Sequence, residues 1–298
     1  MKNFGIAILL IIIGCVIAAF IGILSFSDIE QEWSVNQDGF LHYSQSSPPK
    51  YQLSPLSNNT TLYEVRFISR DMQMAGLLRK PQVTHNKGLP GIVLLPGATV
   101  TKESEQGLAK YLSSLGYASI TFDQRNLGVV DIQDDLQMFM NGKEPTEYKM
   151  VHDALVAAEI LRNQPEIDPN RIVYVGESNG GRFAIIACAL DPTARGVIAV
   201  STCGYGIDAR IRSGKLKNLD ASRFYRSIDP ETYLSMISPR EFLMIHSLKD
   251  PIIPFEYANQ TYTMAYDPKA LRTVECDKHG YCTEMNVFLE KDLMNMVS

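Results

Sequence analysis

The heptapeptide Val175-Gly176-Glu177-Ser178-Asn179-Gly180-Gly181 follows an apolar run at 171–175 and opens a helical stretch at 179–190. A chain that passes so sharply from strand to helix needs positions without side chains around the turn. A serine held there occupies a strained conformation that projects its hydroxyl, the arrangement of a G-x-S-x-G nucleophile elbow. Such an elbow belongs at the carboxyl end of a strand in an open α/β sheet. The remaining pattern agrees. Alternation at 62–67 and a second run at 72–78 predict an opening hairpin. Continuous apolar runs at 91–95, 118–122, 171–175, 196–201 and 242–246 predict strands buried on both faces, and 271–276 a last one. Helical periodicity falls at 103–115, 148–163 and 179–190, and from 283 onward. Alternating strands and helices mean parallel strands with right-handed crossovers. The stretch 203–240 is too long for a plain connection and reads as an inserted cap.

A serine hydroxyl is a weak nucleophile until a base takes its proton, and the base needs an orienting acid. In this fold the chain order is serine, acid, histidine. Two histidines follow Ser178: His246 closes an apolar run and reads as a strand end, whereas His279 follows the last expected strand on a loop. His279 is therefore the expected base. Asp250, in Asp250-Pro251-Ile252-Ile253-Pro254 just past a strand end, is the expected acid, since Asp277 lies too close to His279 in sequence. The oxyanion needs two backbone donors. The amide of Asn179 is one, and that of Ala98, in Leu95-Pro96-Gly97-Ala98, is the expected second. The chemistry needs no cofactor and no metal.

With these residues in place, the sequence resembles the α/β-hydrolase superfamily, in particular its prolyl oligopeptidase-like and dienelactone hydrolase-like branches. The likeness covers roughly 62–290. It rests on Leu94-Leu95-Pro96-Gly97-Ala98, on Leu115-Gly116-Tyr117-Ala118 through Phe122-Asp123-Gln124-Arg125, and on Ile167-Asp168-Pro169-Asn170-Arg171-Ile172 leading into the elbow. Asp250-Pro251 and His279-Gly280 extend it. The resemblance implies a mostly parallel sheet with helices on both faces and a serine hydrolase with Ser178, Asp250 and His279 as triad. Two departures stand out: Pro96-Gly97 replaces the frequent His-Gly of the oxyanion loop, and Asn126 intervenes before Gly128 after the Asp-x-Arg motif. The expected reaction is carboxylic ester hydrolysis through an acyl-enzyme. A prolyl oligopeptidase-like peptidase is the alternative, weakened because no gating propeller fits before residue 62. A catalytically silent hydrolase fold acting as a binding domain is the second alternative.

Composition bounds the partners. Among 298 residues, 28 Lys and Arg face 33 Asp and Glu, for a net charge of −5, without the cationic surplus that phosphate backbones require. A small ester or a short peptide is the expected substrate, and nucleic acid is not an expected partner. Residues 4–26 carry no charge, and at about 1.5 Å per residue a helix of that length spans a bilayer core. The expectation is an N-terminal membrane anchor at 1–26, a stalk at 27–61 and a hydrolase domain at 62–298. A cleaved secretory signal, or a lipoprotein on Ile12-Ile13-Gly14-Cys15, remains an alternative. Lys2 before the run and Asp28, Glu30 and Glu32 after it predict a single-pass protein of the cell membrane with its catalytic domain extracytoplasmic. In that compartment Cys276 and Cys282 could form a disulfide across the loop that carries His279; with His279 they could instead bind metal, which would disable the base. Arg210, Arg212, Lys215, Lys217, Arg223 and Arg226 in the cap suggest either anionic substrates or a solvated helical surface.

Overall fold

A computed structural model describes residues 32–44, 48–56, 61–82 and 88–298. The apolar run 4–26 lies outside the described residues, as do 27–31, 45–47 and 57–60 of the expected stalk. Among the described residues, no helix is long and apolar enough to cross a membrane. The larger of two compact units comprises Val35–His42 and Ser47–Ser298 and holds every residue of the site. The described residues of the smaller unit are 32–34 and 43–44. Strands β1 (Trp33–Val35) and β2 (Leu41–Tyr43) form a two-stranded sheet of their own.

The larger sheet has nine strands. In chain order they are β3 (Tyr51–Pro55), β4 (Leu62–Ser69), β5 (Met72–Arg79), β6 (Leu89–Leu95), β7 (Ala118–Phe122), β8 (Ile167–Glu177), β9 (Gly196–Val200), β10 (Glu241–Ser247) and β11 (Lys269–Val274). Across the sheet they run β11-β10-β9-β8-β6-β7-β5-β4-β3. The pairs from β11 to β7 are parallel, and β7, β5, β4 and β3 pair antiparallel. Every residue of β6, β7 and β9 is buried, as continuous apolar runs demand when helices cover both faces. Ile92, Leu94, Val173, Val175, Ile198 and Val200 form one core cluster with Leu108 and Leu112 of α1 (Gln106–Ser114) and Leu289 and Leu293 of α9 (Asn286–Val297). Each such side chain contributes about 1.5–3 kcal/mol when fully buried. On the other face lie α3 (Thr146–Arg162) and α4 (Asn179–Leu190).

Two sequence expectations change, and a third gains detail. Residues 51–55, read as stalk, form β3, with Leu53 paired to Val65. Only Tyr51 and Leu53 of this strand are half-buried, a pattern too short to register as alternation, and Pro55 is tolerated because the strand is an edge. Helix α2 (Ile132–Met140) was not anticipated, although Asp131 caps it by accepting the amides of Gln133 and Asp134. The expected cap at 203–240 is helical: α5 (Ile207–Arg212), α6 (Leu219–Ile228), a 3-10 turn at Pro230–Tyr233 and α7 (Leu234–Ile237). Within it Arg226 pairs with Asp208 at 2.6 Å, while Arg210, Arg212, Lys215 and Lys217 are exposed. Helix α8 (Phe255–Met264) then joins β10 to β11.

Candidate active site

Ser178 stands between β8 and α4 with φ 51° and ψ −117°, a conformation that costs a non-glycine residue about 1–3 kcal/mol. Its neighbours show why glycine flanks it. A Cβ at 176 would lie 2.3 Å from the carbonyl oxygen of Gly180, and one at 180 would lie 2.3 Å from the carbonyl oxygens of Leu95 and Pro96. A Cβ at 181 would meet the Thr202 side chain at 2.9 Å, so that glycine admits the turn after β9. The elbow is clamped on both sides. The Ser178 amide donates to the Val200 carbonyl at 2.8 Å, and its own carbonyl accepts from Thr202 Oγ1 at 2.7 Å.

His279 meets this serine from 101 residues away, its Nε2 2.7 Å from Ser178 Oγ. Its Nδ1 lies 2.9 and 3.0 Å from the two oxygens of Asp250. A carboxylate only accepts, so Nδ1 carries the proton, and Nε2 is left to accept from the serine hydroxyl. The Asp250 carboxylate also accepts the amides of Ile252 and Ile253, each at 2.9 Å. Burial opposes its charge, but these amides and the imidazole outweigh burial and hold its pKa below the ordinary carboxylate value. His246, a strand-end residue as expected, lies buried behind it with Nε2 3.8 Å from Asp250 Oδ2. That nitrogen is also 2.8 Å from the Ile253 carbonyl, and burial lowers the His246 pKa.

The loops bearing the acid and the base are tied to each other. Ser247 Oγ donates to the Cys276 carbonyl at 2.6 Å and accepts the amides of Cys276 and Lys249 at 3.0 and 3.1 Å. Cys276 and Cys282 are joined in a disulfide around His279, which decides between the two readings of that spacing. Among the described residues, the one cluster close enough to hold a metal is Cys276, Cys282 and Glu284, and its two thiols are consumed in that bond. The nitrogens of His279 face Asp250 and Ser178 instead. Burial pushes the free thiols of Cys188 and Cys203 up to about 12 and about 11, respectively, so neither is a thiolate at neutral pH.

The loop after β6 lies against the serine: a Cβ at Gly97 would be 3.4 Å from Ser178 Cβ. It is held by the segment after β7. Gln124 Nε2 donates to the Pro96 carbonyl, and the Thr99 amide donates to the Leu127 carbonyl at 2.7 Å. Here the inserted Asn126 has its effect. Asn126, Leu127 and Gly128 are left-handed in succession, with φ 47°, 49° and 77°, which brings Gly128 against Ala98. Asn179 Nδ2 donates to the Gly128 carbonyl at 2.7 Å. Asn179 Oδ1 accepts from Arg182, which also pairs with buried Glu147 at 2.6 Å.

Ser178, His279, Asp250, Asn179 and Ala98 thus converge. Sequence reasoning missed the residues that hold them: Ser247, Gln124, Arg182 and Glu177, whose Oε2 accepts the Tyr281 amide at 2.8 Å. Of these, Glu177 carried a signal, its place beside the serine within the elbow.

Comparison with known proteins identifies the fold and the family. The Escherichia coli O157:H7 protein YfhR, itself uncharacterized, is 29% identical over 139 residues, 45% of this chain and 47% of that protein. The chain spans about half the length of the curated relatives it matches. The crystal structure of acetyl xylan esterase 1 from Thermoanaerobacterium sp. JW/SL YS485 superposes with a TM-score of 0.65 at 17% identity, covering 85% of this chain and 89% of that one. The acylaminoacyl peptidase of Pyrococcus horikoshii superposes at 0.56 with 20% identity, covering 84% of this chain and 41% of that one. These likenesses establish the α/β-hydrolase fold, and the profile of the Acetyl xylan esterase (AXE1) family matches residues 38–236. The chain therefore belongs to the acetyl xylan esterase family of the α/β-hydrolase superfamily.

Proposed function

We propose that the protein is a serine esterase hydrolysing carboxylic esters, with Ser178 as nucleophile, His279 as base and Asp250 as its orienting acid. The observation that carries this reading is the Ser178 Oγ to His279 Nε2 contact of 2.7 Å, with Nδ1 on a buried carboxylate. His279 takes the hydroxyl proton as Ser178 attacks the carbonyl, then returns it to the leaving alcohol. Asp250 stabilises the imidazolium, and the amides of Asn179 and Ala98 bind the oxyanion. Water, activated by the same histidine, releases the acid. Family membership makes acetyl esters of carbohydrates the first substrates to test, ahead of amides.

The test is fluorophosphonate labelling of the full chain beside Ser178→Ala and His279→Ala. The expected result is label on the wild type and none on either folded variant. An unlabelled, folded wild type would overturn the reading in favour of a binding domain. Amide cleavage at rates matching esters would favour a peptidase.

For the chain as a whole we propose an anchor at 1–26, and a hydrolase domain that takes in β3 at 51–55 as well as 62–298, with its cap at 203–240, held outside the cell membrane. The uncharged run 4–26 supports this, as does the disulfide, since such bonds persist in oxidising compartments. Protease added to intact cells should remove the domain; complete protection would place it inside.

A further inference from the structure

Arg182 is buried near the start of α4, and none of the chemistry above uses it. Its guanidinium joins four parts of the molecule. Nη2 pairs with Glu147 Oε2 at 2.6 Å, in the first turn of α3. The same nitrogen donates to the Ile228 carbonyl at 3.2 Å, where α6 of the cap ends. The ring of Tyr205, near the start of the cap, covers the guanidinium with its centroid 4.4 Å away. The fourth contact runs from Nη1 to Asn179 Oδ1.

That last contact sets the Asn179 side chain. A guanidinium has only donors, so the amide group turns its oxygen toward Arg182 and its nitrogen away. Nδ2 then donates to the Gly128 carbonyl at 2.7 Å. Gly128 rests on the oxyanion loop, where a Cβ added to it would lie 3.2 Å from Ala98 Cα. Beside this contact the Thr99 amide donates to the Leu127 carbonyl at 2.7 Å, so the segments 98–99 and 127–128 move as one. The backbone amide of Asn179 is the first oxyanion donor of the reading above and that of Ala98 the second. A single residue therefore supplies one donor and, through its side chain, tethers the other.

We propose that the Asn179 side chain, set by Arg182, is the tie that holds the Ala98 donor in place opposite the Asn179 donor, with Arg182 as the positioning residue. The proposal rests on the serine esterase reading above. Because Glu147, Ile228 and Tyr205 hold Arg182 in turn, the spacing of the two donors is set by α3 and by the seating of the cap. Such a tie acts on the transition state and not on the bound ester, since the oxyanion exists only after Ser178 has attacked.

The test compares wild type, Asn179→Ala, Arg182→Lys and the double variant in the full chain. Asn179→Ala keeps the backbone amide and the pair of Arg182 with Glu147, and removes only the tie. Arg182→Lys keeps a cation beside buried Glu147 but not the planar fork that holds Glu147 and Asn179 together. Each protein is assayed for kcat and KM on 4-nitrophenyl acetate and for inhibition by a trifluoromethyl ketone. The carbonyl carbon of that ketone bonds to Ser178 Oγ, its oxygen becomes an oxyanion, and the hydroxyl proton passes to His279. Asn179→Ala should lower kcat about tenfold or more, with KM within about threefold, short of the 10²–10³ lost with a whole donor. Affinity for the ketone should fall by a similar factor. Arg182→Lys should also lose kcat, and the double variant should be no slower than Asn179→Ala, because Arg182 acts through that side chain. A kcat loss below about tenfold in Asn179→Ala, an unchanged affinity for the ketone, or losses that multiply in the double variant overturns the proposal. Where Arg182→Lys does not fold, Asn179→Ala decides alone. Failure of the esterase reading is distinguishable, because the wild type itself would then take no fluorophosphonate label.

Discussion

In the proposed triad the acid has to stay charged, and Asp250 is surrounded accordingly by two amides and an imidazole. Replacing it with asparagine should preserve the shape of the turn yet present an amide to His279 Nδ1, favouring the wrong tautomer. The expected outcome for Asp250→Asn is a loss of about 10⁴ in kcat with KM little changed. Steady-state kinetics on an acetyl ester checks it, and a loss below about tenfold would contradict the assigned role. The converging residues were legible in sequence because each ends an element or follows an apolar run in the order the fold imposes. Ser247 was not legible. Its value is a hydroxyl that serves three partners, two of them on Cys276, 29 residues away, and no local pattern announces such a contact.

At the scale of elements, the elbow and the base loop make separate predictions. A methyl group at 180 has two carbonyl oxygens in its way, and backbone cannot move aside as a flexible side chain can. Gly180→Ala should cost more than about 3 kcal/mol or abolish folding, measured by urea denaturation. The disulfide closes a short loop, and its removal in Cys276→Ser/Cys282→Ser should cost about 2 kcal/mol on loop entropy. That variant should also lose kcat more than KM, since the restrained segment carries the base. Unchanged kinetics would mean that Ser247 and Glu177 suffice to hold His279. The buried strands and long helices were readable because their apolar runs dominate their windows. Strand β3 and helix α2 were not: β3 gains its stability from pairing with β4, and α2 depends on a cap at Asp131 more than on a distinct apolar stripe.

For the molecule as a whole, acid stability follows from buried histidines. His152 accompanies Ser69 at 2.9 Å in the interior. Burial, then the charges of Arg70 and Arg125, lowers its pKa to about 3. In the unfolded chain it titrates near 6.5, so the unfolded state binds more protons between those values. Stability contributed by the neutral imidazole is therefore complete above about pH 6.5 and declines as pH falls toward about 3. The loss between about pH 6.5 and 4.5 should be about 2 kcal/mol, and His152→Gln should flatten that slope. Urea midpoints measured across the window, in wild type and variant, provide the check; parallel slopes would assign the acid sensitivity elsewhere. Global architecture was largely legible because alternating strands and helices admit few topologies, whereas the left-handed run at 126–128 arises from packing against the oxyanion loop.

The 101 residues between the serine and its histidine also have a consequence in time. A ribosome releases Ser178 long before His279, and the elbow can fold against β6 and β9 while the base is still unmade. Under the proposed mechanism, the serine is chemically ordinary until the segment bearing His279 docks. On the proposed triad, the nascent chain is thus harmless to esters around it until the segment bearing His279 has been made.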